Sequence, residues 1–145
     1  MENMDQILDA PVMAEKRMKY AGFWIRFGAY VVDAIILGVI NVLLDLLVAD
    51  VESQTIMSII SLFIGVAYFA VMESSERQAT FGKMAVGIKV GDRNGEQISL
   101  LNAVGRYFAK IISALTLLIG FMMAGWDEKN QALHDKIADT YVFYP

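Results

Sequence analysis

One carboxylate, Asp33, stands inside residues 27–44, a run of eighteen residues with no other charge. A helix of that length is about enough to cross the ~30 Å hydrocarbon core of a bilayer. A charge near the centre of such a helix costs about 2.5–3.5 kcal/mol on insertion scales. It persists only where it faces a partner, a cavity or another chain. The chain is thus confined to folds that place an apolar helix in lipid with a polar group turned inward.

Two more apolar runs extend this reading. Residues 55–72 hold eighteen residues without a charge, closed by Glu52 before and Glu73 after. They predict a second transmembrane helix. Residues 111–126 hold sixteen uncharged residues, about 24 Å as a helix, which falls short of a full span. The expected fold is mainly α: a polytopic membrane protein with helices over about 23–47 and 55–72. The third segment is a re-entrant hairpin turning near Gly120 or a third span. Mean hydropathy of +0.48 and 57% hydrophobic residues suit this class better than a soluble domain.

Charge placement orients the chain. Lys16, Arg17, Lys19 and Arg26 precede or open the first apolar run, and six bases lie in 73–110, whereas 45–53 carries three acids and no base. The positive-inside rule puts the N-terminus and residues 73–110 in the cytoplasm. No basic-then-apolar secretory signal opens the chain, so residues 1–19 are expected to be a retained cytoplasmic tail. Ile7, Leu8, Val12 and Met13 form either a short surface helix, broken at Pro11, or a partly ordered tail.

Residues 20–143 then form a single membrane domain. Within 73–110, alternation from Met84 to Ile98 around Asn94-Gly95 predicts a β-hairpin, and Ser99 a cap for a helix from Leu100. Residues 140–144 are β-branched and aromatic and predict a third strand. That strand can join the hairpin only if both lie on one side of the membrane, which requires re-entry. A full third span would instead carry Lys129, His134 and Lys136 to the outside. The short apolar length and the distribution of bases favour re-entry.

Several functions are excluded. A net charge of −4 leaves no basic excess for nucleic acid, and the lack of cysteine removes thiol chemistry and disulfides. With one histidine, a multi-histidine metal site within one chain is excluded too. No nucleophile elbow, Walker loop, HExxH or dinucleotide fingerprint occurs, and Gly82-Lys83 lacks the glycine-rich run of a phosphate loop. The reading is a non-enzyme without cofactor.

The polar residues within this frame are the candidate site. Arg26, Tyr30, Asp33 and Leu37 share one helical stripe, with Asn41 to one side. Arg26 and Asp33 lie about 10.5 Å apart along the axis, too far for a direct pair unless Tyr30 or water bridges them. Arg26 is a snorkelling arginine or the partner of Glu73 or Asp135; Asp33 is expected to meet Arg106, Lys83 or Lys110. Asp33 is read either as a buried pair that locks helices or as part of a proton or ion path. Ser58, Ser61, Gly65 and Tyr68 form a small-residue face for helix packing, as does Gly38 on the first helix. His134 beside Asp135 is a turn or cap element, or a proton relay.

Gly22-Phe23-Trp24-Ile25-Arg26 with Asp33, then Gln78-Ala79-Thr80-Phe81-Gly82-Lys83, Gly87-Ile88-Lys89-Val90, Gly95, Arg106 and Leu133-His134-Asp135-Lys136-Ile137-Ala138-Asp139-Thr140 occur in order. Together they resemble the RDD family of small membrane proteins, named for one arginine and two aspartates. The resemblance spans about residues 20–143. It implies that Arg26 and Asp33 are the first two signature residues and Asp135 the third, forming one polar network. Family members often carry more basic residues near the last motif than the Asp-Glu-Lys at 127–129 here.

The resemblance leaves two functional expectations. One is transport of a small cation or proton, which at three apolar segments per chain requires a homo-oligomer with Asp33 facing the lumen. The other is an accessory, regulatory or scaffold subunit of a larger membrane protein, in which Arg26, Asp33 and Asp135 serve the structure. Either places the chain in the lipid bilayer, expected to be the bacterial cytoplasmic membrane.

Overall fold

A computed structural model describes residues 18–48, 53–116 and 119–145. The stretch around Ile7 and Met13, read as a short surface helix or a partly ordered tail, lies outside the described residues. In chain order the elements are β1 (Lys19–Tyr20), α1 (Phe23–Leu47), α2 (Gln54–Glu73), α3 (Phe81–Ala85) and β2 (Lys89–Gly91). Then follow α4 (Leu100–Leu115), α5 (Ile119–Met122), a 3₁₀ turn at Met123–Gly125, α6 (Leu133–Ala138) and β3 (Tyr141–Tyr144).

The two long helices are the expected spans. α1 has 25 residues and α2 has 20, roughly 38 and 30 Å at 1.5 Å per residue. Along α1 only Ala29 and Asp33 are buried, and along α2 only Gly65, Phe69, Ala70 and Glu73. Leu46, Leu47 and Phe63 are exposed by 73%, 82% and 70%. In water such a surface would be an aggregation site; in lipid it is solvated by acyl chains.

The tightly packed part of the molecule lies at one end of these helices. Its core is built of Ala21, Ala29, Ala70, Ile88, Val90, Ile98, Ala103 and Val142. Half of these are alanines, which lets backbones approach closely where α1, α2, α4 and the sheet converge. Ser99 caps α4 as expected, its Oγ accepting from the Asn102 amide at 3.1 Å.

The small sheet is antiparallel in the order β1-β3-β2, with Lys19 opposite Tyr144 and Lys89 opposite Phe143. The terminal strand is therefore central, and the residues just before α1 supply a strand that periodicity did not mark. The expected hairpin over 84–98 is corrected. Thr80 caps α3, which takes Met84 and Ala85 into a helix, and Gly87 turns the chain at φ 72°. Only Lys89–Gly91 is then strand. The turn at 92–96 does form, with Asp92 N donating to Glu96 O at 3.0 Å. The return arm, however, is displaced from the β2 edge by Gln78. Its backbone carbonyl accepts from Val90 N at 2.7 Å, and its side chain donates to Val90 O and Gly95 O at 3.1 Å.

Residues 100–125 do not run straight. α4 and the segment Ile119–Gly125 meet at 114°. Gly120, at the start of the returning arm, packs so closely that a Cβ there would lie 2.9 Å from Ser113 Cα. Because α1 and α2 are consecutive spans, β1 and β2 emerge at the same end. β3 hydrogen-bonds to both, so residues 100–125 leave that end and return to it. A third full span would strand β3 on the opposite face, away from both partners. Among the described residues the segment is a bent pair of arms and not one straight helix.

Candidate functional site: two buried polar centres

The first centre is Asp33, which is 1% exposed. Its Oδ1 accepts from Tyr68 OH at 2.7 Å and from Gly82 N at 2.8 Å, and its Oδ2 from Thr80 Oγ1 at 2.6 Å. Two of these donors come from the start of α3, where backbone amides have no partner within their own helix. Thr80 Oγ1 also accepts from Lys83 N at 3.3 Å. Tyr68 OH in turn accepts from Phe81 N at 3.2 Å. Glycine is required at 82, because a Cβ would fall 2.0 Å from Ala29 O and 2.8 Å from Asp33 Cγ. The short helix is thereby pressed onto α1 with the carboxylate sealed between them.

This arrangement corrects an expectation. Among the described residues no lysine or arginine reaches Asp33: Arg106, Lys83 and Lys110 all turn to other carboxylates. Three neutral donors do the work instead, so the acid joins no ion network with Arg26 and Asp135. Tyr30 is no bridge either. It is 52% exposed, with its ring stacked on Phe69 at 6.5 Å between centroids.

The second centre is ionic and lies at the sheet end of the spans. Arg26 pairs with Asp135 and donates from Nη2 to Asn130 O at 2.5 Å and from Nε to Ala21 O at 2.8 Å. Five residues into the chain from Ala21, it is a buried anchor, not a snorkelling side chain. Arg106 Nη2 lies 2.7 Å from Asp135 Oδ1, and its Nη1 donates to Thr140 Oγ1 at 2.9 Å. Arg106 Nε faces Glu73 Oε2 at 3.3 Å, an ion pair whose angle falls short of a hydrogen bond. Glu73 also pairs with Lys83, and its Oε1 lies 3.3 Å from Lys110 Nζ. Lys110 Nζ sits 4.1 Å from the Phe69 ring centroid, close enough for a cation–π contact.

Two fully buried carboxylates therefore hold four cations drawn from α1, α3 and α4. Burial alone would raise the Asp135 carboxyl, but Arg106 and Arg26 hold it well below the usual range. His134 behaves oppositely: burial pushes its pKa down to about 3, with Arg106, Lys110 and Arg26 adding to the effect against the pull of Asp135. At neutral pH the ring is an uncharged group, with Nδ1 3.4 Å from Ser113 Oγ and the ring tilted against Phe121 at 5.1 Å between centroids. That is a structural position for His134. Asp135 also accepts from Ala132 N at 3.0 Å, fixing the first turn of α6.

The remaining expected residues divide. Asn41 donates to Leu37 O at 2.9 Å and accepts from Ser61 Oγ at 2.6 Å, which ties α1 to α2 within the span. Ser61 thus packs helices through a hydrogen bond. Gly65 makes room for α4 and not α1, since a Cβ there would lie 3.0 Å from Tyr107 OH. Thr80 and Gly82 were not singled out as site residues by sequence; Glu73 was named as a candidate partner of Arg26, and it meets Lys83, Arg106 and Lys110 instead. The available signal was the Thr80-to-Lys83 cap spacing. Among the described residues no group of three or more His, Cys, Asp or Glu is placed to hold a metal.

Between the two centres, α1, α2, α4 and α5 leave a cavity of about 460 Å³ that touches Asp33, Arg26, Lys83, Arg106, Lys110 and His134.

The model of the RDD family matches residues 20–139. Three proteins of Bacillus subtilis (strain 168) are similar along most of the chain. YxaI is 34% identical over 87% of this chain and 98% of its own length. YteJ, named as a membrane protein, is 33% identical over 86% and 81% respectively. YckC is 34% identical over 87% and 85%. All three are named as uncharacterized proteins. No solved structure matches the chain.

Proposed function

The chain belongs to the RDD family, and from that premise we propose that it is a non-catalytic accessory subunit of a larger membrane protein. In this reading Arg26, Asp33 and Asp135 hold the fold, and the exposed apolar faces of α1 and α2 meet lipid or the partner. The observation that carries it is the occupancy of Asp33: both carboxylate oxygens are taken by Tyr68, Thr80 and Gly82. Three of its roughly four lone-pair positions are filled by groups of the fold, so a passing cation that used both oxygens would have to displace one of them. The base-rich composition of 73–110 supports a cytoplasmic sheet end and N-terminus, in a bacterial cytoplasmic membrane.

The second reading is transport of a small cation or proton by a homo-oligomer. It is favoured by one observation, that Asp33 lies on the wall of the cavity within the span. Reconstitution in liposomes separates the two. Under imposed proton or sodium gradients the wild type is expected to show no flux above empty liposomes, and Asp33→Asn to lower stability. Gradient-driven flux that disappears in a folded Asp33→Asn variant would overturn the accessory reading.

A further inference from the structure

The cavity beside the ion network has a mixed lining. Its charged residues are Arg26, Lys83, Arg106 and Lys110, with Asp33 the one acid among them. Its uncharged residues include Phe27, Leu37, Ile111, Ala114 and Met122. Tyr30, Ile111 and Ala114 belong both to this wall and to the exposed surface of α1 and α4. The uncharged lining is therefore continuous with the zone that faces lipid.

The charges of this lining do not balance. Four cations meet two carboxylates, Glu73 and Asp135, whereas Asp33 is reached by none of them and is held by three neutral donors. His134 is neutral and does not alter the excess. Lys83 and Lys110 share a single oxygen, Glu73 Oε1. An ammonium has three N–H donors, and Lys110 is given only that shared oxygen and the Phe69 face. A cation entering here would be repelled. A small hydrated anion would meet its charge partners but would lose its water against hydrocarbon walls. A group with an anionic head and an alkyl tail satisfies both the cationic and the uncharged lining, and the volume lies in the range of small-molecule sites.

We propose that this cavity binds an anionic lipid of the bilayer. The phosphate head sits against Lys110 and Lys83, with Arg26 and Arg106 behind, and one acyl chain lies along Phe27, Leu37 and Ile111 toward the membrane. This assignment rests on the cavity alone, independent of the accessory role, so the liposome flux result does not bear on it.

The test uses the purified full chain in nonionic detergent, titrated with phosphatidylglycerol, with phosphatidylcholine of the same acyl chains, and with inorganic phosphate. Bound lipid is counted by native mass spectrometry. Phosphatidylglycerol is expected to bind about tenfold more tightly than phosphatidylcholine, and equal inorganic phosphate to leave it in place. Lys110→Gln should remove most of that preference and Lys110→Arg restore it. Ala114→Trp, which leaves every charge intact, should block both lipids while the melting transition stays near wild type. Equal affinity for the two lipids would overturn the proposal, as would displacement by inorganic phosphate alone, the mark of a free-anion site. Unchanged binding in a folded Ala114→Trp protein would place the lipid elsewhere on the surface and overturn it too.

Discussion

Asp33 and Asp135 are both buried in the same small protein, yet they are stabilised by opposite means. Asp33 sits inside a span and is held by a phenol, a threonine hydroxyl and a backbone amide. Asp135 sits at the sheet end and is held by two arginines. The difference follows from what each location can supply. Within a helix pair in lipid, a full cation would bring its own desolvation cost, whereas neutral donors stabilise the acid without a second buried charge. Where the chain's first strand, last strand and α4 converge, long cationic side chains can reach in from several directions. There the ions tie together segments 109 residues apart in sequence.

The largest expected effect tests the ionic side. Asp135→Asn leaves Arg26 and Arg106 buried against a neutral amide, and should cost about 3–5 kcal/mol of stability. Equilibrium unfolding in detergent reads this directly. Asp33→Asn should cost less, about 1–3 kcal/mol, because the amide oxygen still accepts from some of the three donors. If the two variants lose equal stability, the contrast between a neutral cradle and an ionic knot does not hold.

A smaller effect separates the titratable groups. The His134 pKa is lowered by burial to about 3, so between that value and its unfolded pKa near ~6.5 the unfolded chain binds more protons. Stability should therefore fall as the solution is acidified, by about 1 kcal/mol from pH 6.5 to 5.5. His134→Gln should flatten this slope. Asp135 has a depressed folded pKa, so its contribution is present above the unfolded carboxylate value and is lost only as pH falls through the folded one. It adds no slope in that window. The smallest effect is at Arg93, whose pair with Asp139 at 3.0 Å is solvent-exposed on both sides. Arg93→Ala should leave the melting temperature unchanged within error, which would sharpen the point that only the buried ions matter.

Legibility in the sequence varied with range. The two spans were readable because an uncharged run of eighteen residues is a local property that lipid thickness converts into a helix. The Ser99 cap was readable for the same reason. Strand pairing over 84–98 was misread because Thr80 caps a competing helix and Gln78 occupies the strand edge, neither of which shows in alternation. The pairing of Arg26 with Asp135 was among the alternatives left by charge counting, and the resemblance to a family joined them in one network. The actual partners of Asp33 were not among the candidates, because a search for cations passes over hydroxyls and amides.

What the sequence alone determined is the membrane character of the chain, its two long spans and the presence of one acid inside the first. These depend on residues next to one another. Tertiary structure decided which groups receive that acid. Gly82 N lies 49 residues away in sequence and reaches Asp33 only because a glycine lets α3 close onto Ala29. Tertiary structure also decided that residues 100–125 return to their starting side, because β3 must pair with strands on both flanks. Hydrophobic length is written locally; hydrogen-bond satisfaction is settled only when distant backbones meet.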